Sequence, residues 1–196
     1  LLKLDNVLTQ GLHSGREYNG GYQRFRLRWA HEGQDSAIIP TRGIRSIVEG
    51  SWVTNHPGVT RQYALVDAQM SWARRLPRNL LIVTQGAAGA SPNEPTLFNQ
   101  FNLGGPLRMS ALTRGQLLGS HYYYGSGSLL RPVKNDSFNS FGRFYWTLSY
   151  ELGNAWLGHF LEPPRHSGSL GIMGETPLGV VFFGGSQDLT QLDEAS

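Results

Sequence analysis

Serine nucleophiles are the first chemistry to consider, because serines recur beside glycines, among them Ser126, Ser128, Ser169 and Ser186. The nucleophile of an α/β-hydrolase lies in Gly-x-Ser-x-Gly, where it occupies a sharp strand-to-helix turn. None of the four fits this pattern, and the closest stretch, at 184–188, lacks the second glycine. The chain also has no cysteine, which removes thiol nucleophiles and disulfides. We therefore predict that this chain is not itself an enzyme.

Metal and cofactor sites are not indicated either. The six histidines are dispersed at positions 13, 31, 56, 121, 159 and 166 and form no His-x-x-x-His pair, the spacing that two ligands on one helix would need. A Ser-His-Asn site using His31 or His121 is the alternative, but no spacing connects either histidine to a nucleophile. Gly104-Gly105 precedes no helical pattern that could bind phosphate. We expect no metal and no cofactor.

Nucleic acid is not an expected partner. The formal net charge is only +3, with 16% charged residues, so no concentrated basic region is implied. Tyr122-Tyr123-Tyr124 could stack on bases or sugars. The more ordinary interpretation of this run is a strand of a membrane β-barrel whose aromatic residues lie where the membrane meets water.

Alternation of apolar and polar residues is the strongest pattern in the chain. Between Phe141 and Trp156, for example, Trp146 and Leu148 fall on one face and Thr147 and Ser149 on the other. Only a β-strand places alternate residues on opposite faces. The pattern predicts about eight strands and no convincing helix, with strands at 22–32, 44–53, 63–74, 79–90, 118–133, 141–156, 167–175 and 180–188.

Two all-β architectures fit these strands. A soluble barrel or sandwich that binds a ligand would bury the apolar face, whereas a transmembrane barrel would turn it toward lipid and its polar face toward the lumen. The predicted strands have about 10–16 residues, against a usual 5–6. Aromatic residues recur near their ends, at Trp52, Trp72, Phe141 and Trp156. These features favour an antiparallel transmembrane β-barrel, with the soluble protein as the alternative.

The polar faces would bring a set of charges together in the lumen: Arg24, Arg26, Arg28, Arg45, Glu49, Asp67, Arg143 and Glu151. On the lipid face an arginine would cost about 2–4 kcal/mol at the midplane. The predicted lipid face comprises Phe25, Leu27, Trp29, Val48, Val66, Met70, Phe144, Trp146 and Leu148. We accordingly predict that Leu148→Arg blocks assembly and that Thr147→Arg is tolerated.

Four short motifs occur in order along the chain. They are Ile-Pro-Thr-Arg-Gly at 39–43, Phe-Asn-Leu-Gly-Gly-Pro-Leu-Arg-Met-Ser-Ala-Leu at 101–112, Glu-Leu-Gly-Asn-Ala-Trp at 151–156 and Gly-Glu-Thr-Pro-Leu-Gly at 174–179. Together they resemble the bacterial surface antigen family, the outer-membrane barrels of the assembly-factor and two-partner-secretion superfamily. The motif at 101–112 resembles that family's long-loop motif. The motif at 39–43 resembles a turn that precedes a strand in the family, with Ile39 in place of the family's phenylalanine.

The resemblance implies the C-terminal half of a barrel of about sixteen strands, located in the bacterial outer membrane. Residues 1–196 would form one partial barrel domain, and the long loop at 90–116 would fold into the lumen. The loop-motif residues would be Leu103, Gly104, Gly105, Arg108 and Ser110. Arg108 would then need an acidic partner in the lumen, for which Glu49, Asp67 and Glu151 are the candidates.

The loop signature also indicates a branch of the family. Arg108-Met109-Ser110-Ala111-Leu112 resembles the version found where the barrel follows a patatin-like phospholipase domain, in the subclass d autotransporters of type V secretion, although Ala111 replaces the expected glycine. The resemblance implies a translocator or anchor for a fused passenger. Its partners would be outer-membrane lipid, the outer-membrane assembly machinery and that passenger domain.

Closure of the barrel is the last expectation. About eight strands enclose an interior only just filled by side chains, too narrow for the predicted charges and long loop. The tail after Asp188 is polar and shows no further strand ending in an aromatic residue. We expect closure by additional N-terminal strands or by a second copy of the chain in a homodimer.

Overall fold

Nine long strands follow one another in a single antiparallel sheet, and two short ones pair separately. The computed structural model describes residues 2–13, 16–56, 61–92, 100–133, 142–158, 161–177 and 179–190. The strands are β1 (Leu2–His13), β2 (Arg16–Glu32), β3 (Gly43–His56), β4 (Arg61–Arg75), β5 (Leu81–Ala90), β6 (Phe101–Leu103), β7 (Leu117–Gly119), β8 (His121–Pro132), β9 (Arg143–Trp156), β10 (Arg165–Thr176) and β11 (Gly179–Asp188). The main sheet runs β1-β2-β3-β4-β5-β8-β9-β10-β11.

The structure adds one long strand to the eight that the alternation predicts. β1 pairs along its whole length with β2, which begins at Arg16 rather than at Tyr22. Asn6 and Gln10 interrupt the row of leucines at every second position of β1, so periodicity alone does not mark this strand. The predicted strand at 118–133 divides into β7, which pairs with β6, and β8, which belongs to the main sheet.

The sheet has two chemically different faces. We call the first the open apolar face; eight of its large apolar side chains are 42–59% exposed, namely Phe25, Leu27, Trp29, Val48, Val66, Met70, Trp146 and Leu148. The opposite surface, the loop-covered face, carries Tyr63, Tyr124, Ser149 and Glu151 beneath connecting segments. The sequence therefore assigned the two faces correctly at these eight positions, and Phe144 is partly buried.

No helix among the described residues is long and apolar enough to cross a membrane.

One part of the core lies on the loop-covered face near the β4–β5 turn. Ile39, in the connection from β2 to β3, is 2% exposed and packs on Leu81, Val83, Leu130 and Tyr145. Asp35 holds this connection in shape by accepting hydrogen bonds from the main-chain N–H groups of residues 41 and 42, at 2.8 and 3.1 Å. The connection therefore folds back over the sheet.

The loop-covered face is unevenly crowded. Thr147 is 1% exposed, so the expectation that it would accept an arginine does not hold. Gln69 is exposed on the same face, where its side-chain amide donates to Asp67 at 2.8 Å. A larger polar side chain therefore fits at Gln69 and not at Thr147.

Within the described residues, β1 and β11 each pair on one side only, with β2 and β10 respectively. Each of these edge strands leaves a row of main-chain N–H and C=O groups without a neighbouring strand.

Candidate functional site

The long connection between β5 and β8 turns sharply at a glycine pair. Gly104 and Gly105 have φ values of +117° and +114°, which side chains other than glycine seldom adopt. A Cβ at Gly104 would lie 2.2 Å from the carbonyl oxygen of Thr113. The glycine pair thus directs the chain into a compact segment, residues 105–112, which we call the loop tip.

Apolar side chains fix the loop tip and its approach to the sheet. Leu103 and Met109 are 0% exposed and Leu112 is 6% exposed. They pack against Tyr122 and Tyr124 of β8, with Ala155 of β9 in the same cluster. Complete burial of one such side chain stabilises by about 1.5–3 kcal/mol. This packing holds the loop against the sheet and does not depend on charge.

The main chain of the loop tip binds a buried carboxylate on the sheet. Glu151 of β9 is 2% exposed. Its Oε1 accepts hydrogen bonds from the main-chain N–H of Met109 at 3.0 Å and the Tyr124 hydroxyl at 2.9 Å. Its Oε2 accepts from the main-chain N–H of Ser110 at 2.7 Å, from the Ser110 hydroxyl, and from Ser167 Oγ at 3.4 Å. Each carboxylate oxygen of Glu151 therefore accepts at least two hydrogen bonds.

The main chain of the loop tip is shaped to bind an anion. Leu107 and Met109 adopt φ values of +66° and +64°, which cost a non-glycine residue roughly 1–3 kcal/mol each. The strained turns aim the N–H groups of Met109 and Ser110 at the Glu151 carboxylate. Successive N–H groups in such a conformation form an anion-binding concavity. The contacts with Glu151 offset the strain.

Arg108 occupies a different position from the one expected of a direct ion pair. Its guanidinium lies 5.2 Å from the ring centre of Tyr122 and 5.9 Å from that of Tyr124, within the range of cation–π attraction. The Tyr122 hydroxyl donates to Asp67 and the Tyr124 hydroxyl to Glu151. Among the described residues no ion pair joins Arg108 to a carboxylate. The tyrosines therefore lie between Arg108 and two of its three candidate partners.

The loop tip also contacts the last two strands. The N–H of Ala111 donates to Ser167 Oγ of β10 at 3.1 Å. Ser186 Oγ of β11 donates to the carbonyl oxygen of Ser110 at 2.7 Å. With Glu151, these bonds connect one short segment to three adjacent strands, including the edge strand β11.

The other charges predicted for the lumen lie on the loop-covered face. Arg28, Glu49 and Asp67 are direct cross-strand neighbours on β2, β3 and β4. Glu49 forms ion pairs with Arg24 at 3.5 Å and Arg26 at 3.1 Å. Further ion pairs join Arg45 to Glu32 at 3.4 Å and Arg143 to Glu175. The structure thus divides the predicted set into separate groups, and Glu151 is the member that binds the main chain of the loop tip.

Sequence reasoning missed the tyrosines and serines of this site. Tyr122 and Tyr124 face the loop, and only Tyr123 lies on the opposite face, so the interpretation of all three as interfacial aromatics is wrong for two of them. Alternation within β8 could have shown this division. Ser167 and Ser186 carried no signal, since their roles depend on how β9, β10 and β11 align.

Comparisons with known proteins show the fold. No family profile matches the sequence, and no curated protein matches it. Solved structures do match, among them BamA from Haemophilus ducreyi lacking POTRA domains 1–3, with a TM-score of 0.73 and 14% sequence identity. The match covers 89% of this chain and 40% of that BamA chain. The predicted all-β, antiparallel barrel class is therefore confirmed, and this chain spans less than half the length of the protein it resembles.

Proposed function

We propose that this chain is part of the wall of an outer-membrane β-barrel, with the open apolar face on lipid and the loop-covered face toward the lumen. The observation that carries the proposal is the open apolar face itself. Its eight large apolar side chains are 42–59% exposed. In water they would forgo on the order of 10 kcal/mol of burial, as much as the entire stability of an ordinary domain. Lipid removes this cost.

The distribution of charge supports the same orientation. The residues that form ion pairs on β2 and β3, Arg24, Arg26 and Glu49, all face away from the open apolar face. Charges tolerate a hydrated or paired lumen but not the lipid midplane. In this arrangement the loop tip bound to Glu151 lies inside the barrel.

Detergent dependence and heat-modifiable gel migration test the proposal. We expect the chain to need detergent or lipid to stay dispersed, and to migrate differently on a denaturing gel before and after boiling. A chain that stays monomeric and folded in plain buffer would instead be the soluble ligand-binding protein.

We further propose that β1 and β11 pair with strands outside this chain, either N-terminal strands of a longer barrel or those of a second copy. Unpaired main-chain groups in lipid cost several kcal/mol each, and both edge strands have a partner on one side only in the described residues. Because the chain has no cysteine, single cysteines in β1 and β11 can be cross-linked selectively. Efficient cross-linking within a monomer would show that these strands close on themselves.

The finer functional proposal is that the barrel translocates or anchors a fused passenger, a patatin-like phospholipase domain, after insertion by the outer-membrane assembly machinery. It rests on the resemblance of the loop signature, in which Met109 is buried and Ser110 binds Glu151. Sequencing the gene upstream of Leu1 tests the passenger. A Gly-x-Ser-x-Gly pattern between a strand and a helix is expected, and an upstream region without it would contradict this passenger.

A further inference from the structure

The part of the β9–β10 connection that precedes β10, residues 161–164, lies against the open apolar face instead of extending away from the sheet. β9 lies between β8 and β10. The Tyr123 hydroxyl of β8 nevertheless donates at 3.0 Å to the carbonyl oxygen of Glu162, which leads into β10. To reach Tyr123, the segment must lie over β9. Asn154 and Trp156 of β9 are accordingly only 4% and 9% exposed although they lie on this face.

Several main-chain polar groups in the described residues just before β10 are accounted for. Pro163 and Pro164 have no N–H. The carbonyl oxygens of Glu162 and Pro163 accept hydrogen bonds from Tyr123 and from the Asn154 side chain, the latter at 2.7 Å. Two carbonyl oxygens with donors and two prolines without an N–H lower the cost of placing residues 162–164 at an apolar boundary, which irregular chain otherwise avoids.

The side chains around the segment are of the kind found where a membrane meets water. His121 stacks on Trp156 with ring centres 5.7 Å apart, and Tyr123 meets the same ring edge-on at 5.6 Å. These residues combine an apolar ring with a polar group, as in the aromatic girdles of membrane barrels. Leu157 and Leu161 are 56% and 71% exposed.

We propose that the described residues of this connection, 157–158 and 161–164, form a lipid-contacting flap that places Leu157 and Leu161 at the boundary between headgroups and acyl chains. The proposal deepens the proposed function and rests on it, because the flap continues the open apolar face toward the strand ends. The Glu162 carboxylate, 3.4 Å from the Asn154 amide nitrogen, limits how deep the flap can lie, since so polar a group stays near the headgroups. The occupant of this surface is bilayer lipid.

Site-directed spin labelling tests the flap in the full chain, which has no native cysteine. Labels at Leu161→Cys, Leu148→Cys and Arg78→Cys would be compared in phosphatidylcholine–phosphatidylglycerol vesicles by their accessibility to oxygen and to a water-soluble nickel complex. Leu148 samples the open apolar face and Arg78 the exposed β4–β5 turn. We expect a lipid-exposed signal at Leu148, an aqueous one at Arg78 and an intermediate one at Leu161.

An aqueous signal at Leu161 together with a lipid-exposed signal at Leu148 would overturn the flap and leave the proposed function standing. An aqueous signal at both would contradict the proposed function itself. A second variant tests the tether: Tyr123→Phe combined with Asn154→Ala should move the Leu161 label toward the aqueous signal of Arg78. If the label does not move, the hydrogen bonds do not hold the flap against the sheet.

Discussion

Replacing Glu151 should release the loop tip more effectively than replacing any other predicted lumen charge. In Glu151→Gln the amide oxygen can still accept from one side, but the amide nitrogen then faces donors on the other. A buried donor left without an acceptor costs about 1–3 kcal/mol. Two donors of Ser110 approach Oε2, so we expect a loss of about 2–4 kcal/mol in the free energy of unfolding.

Arg108→Met and Glu49→Gln are the matched variants against which the destabilisation by Glu151→Gln is compared. Arg108→Met removes a cation–π contact with Tyr122 and Tyr124, worth about 0.5–2 kcal/mol. Glu49→Gln removes ion pairs with Arg24 and Arg26 whose side chains are 22% and 30% exposed, and such partly exposed pairs contribute about 0–1 kcal/mol. The expected order of destabilisation is Glu151, then Arg108, then Glu49.

The assay is urea unfolding of the detergent-held chain, followed by the heat-modifiable band, together with the rate of tryptic cleavage at Arg114 beside the loop tip. Glu151→Gln should lower the urea midpoint most and speed cleavage most. The reasoning is refuted if Glu49→Gln destabilises as much as Glu151→Gln, or if Arg108→Met destabilises more.

Three further changes have specific expected outcomes. Gly104→Ala should lower the free energy of unfolding by about 1–3 kcal/mol, because of its positive φ and the carbonyl oxygen 2.2 Å from the new Cβ. Gly50→Ala, with open space around its Cβ, should leave the free energy of unfolding unchanged, and equal urea midpoints for the two variants would refute this. The hydrogen bond from the Thr41 hydroxyl is the main cause that lowers the pKa of Asp35 from 3.8 to about 2. The connection from β2 to β3, which Asp35 holds in shape, should therefore be fully held above about pH 4 and released as the pH falls toward 2. Thr41→Val should raise that pKa toward 3.8, measured by carboxyl NMR titration, and an unchanged pKa would contradict the assignment. Ser186→Ala removes the bond to the loop tip and should speed amide hydrogen exchange in β11 while leaving β3 unchanged; equal exchange in wild type and variant would show that the bond does not hold this edge strand.

The two faces of the sheet were predictable because alternation is a local property of the chain. Leu148 and Ser149 fall on opposite faces wherever the strand pairs, so their exposure of 55% and 9% follows from the sequence. β1 was not predictable in this way, because the alternation in Leu2–His13 is interrupted and the strand is defined by its pairing with β2.

The contacts of the loop tip were predictable only in part. The loop motif and its need for an acidic partner indicated three candidates, one of which was Glu151. Which of the three binds the loop depends on the alignment of β8 and β9, which places Tyr124 beside Gly153. The positive φ values of Leu107 and Met109 leave no sequence signal, since neither residue favours that conformation. Main-chain N–H groups, present at every non-proline residue, therefore took the place expected for the Arg108 side chain.

The orientation of the sheet in lipid is the central claim, and one pair of adjacent substitutions tests it most directly. Met70 is 57% exposed on the open apolar face, and Gln69 is exposed on the loop-covered face of the same strand. Met70→Arg would place a charge in lipid at a cost of up to about 2–4 kcal/mol, whereas Gln69→Arg would place it beside Asp67. Assembly into lipid vesicles, measured by the heat-modifiable band, should fail or fall sharply for Met70→Arg and match wild type for Gln69→Arg. Equal assembly of the two variants would contradict the account.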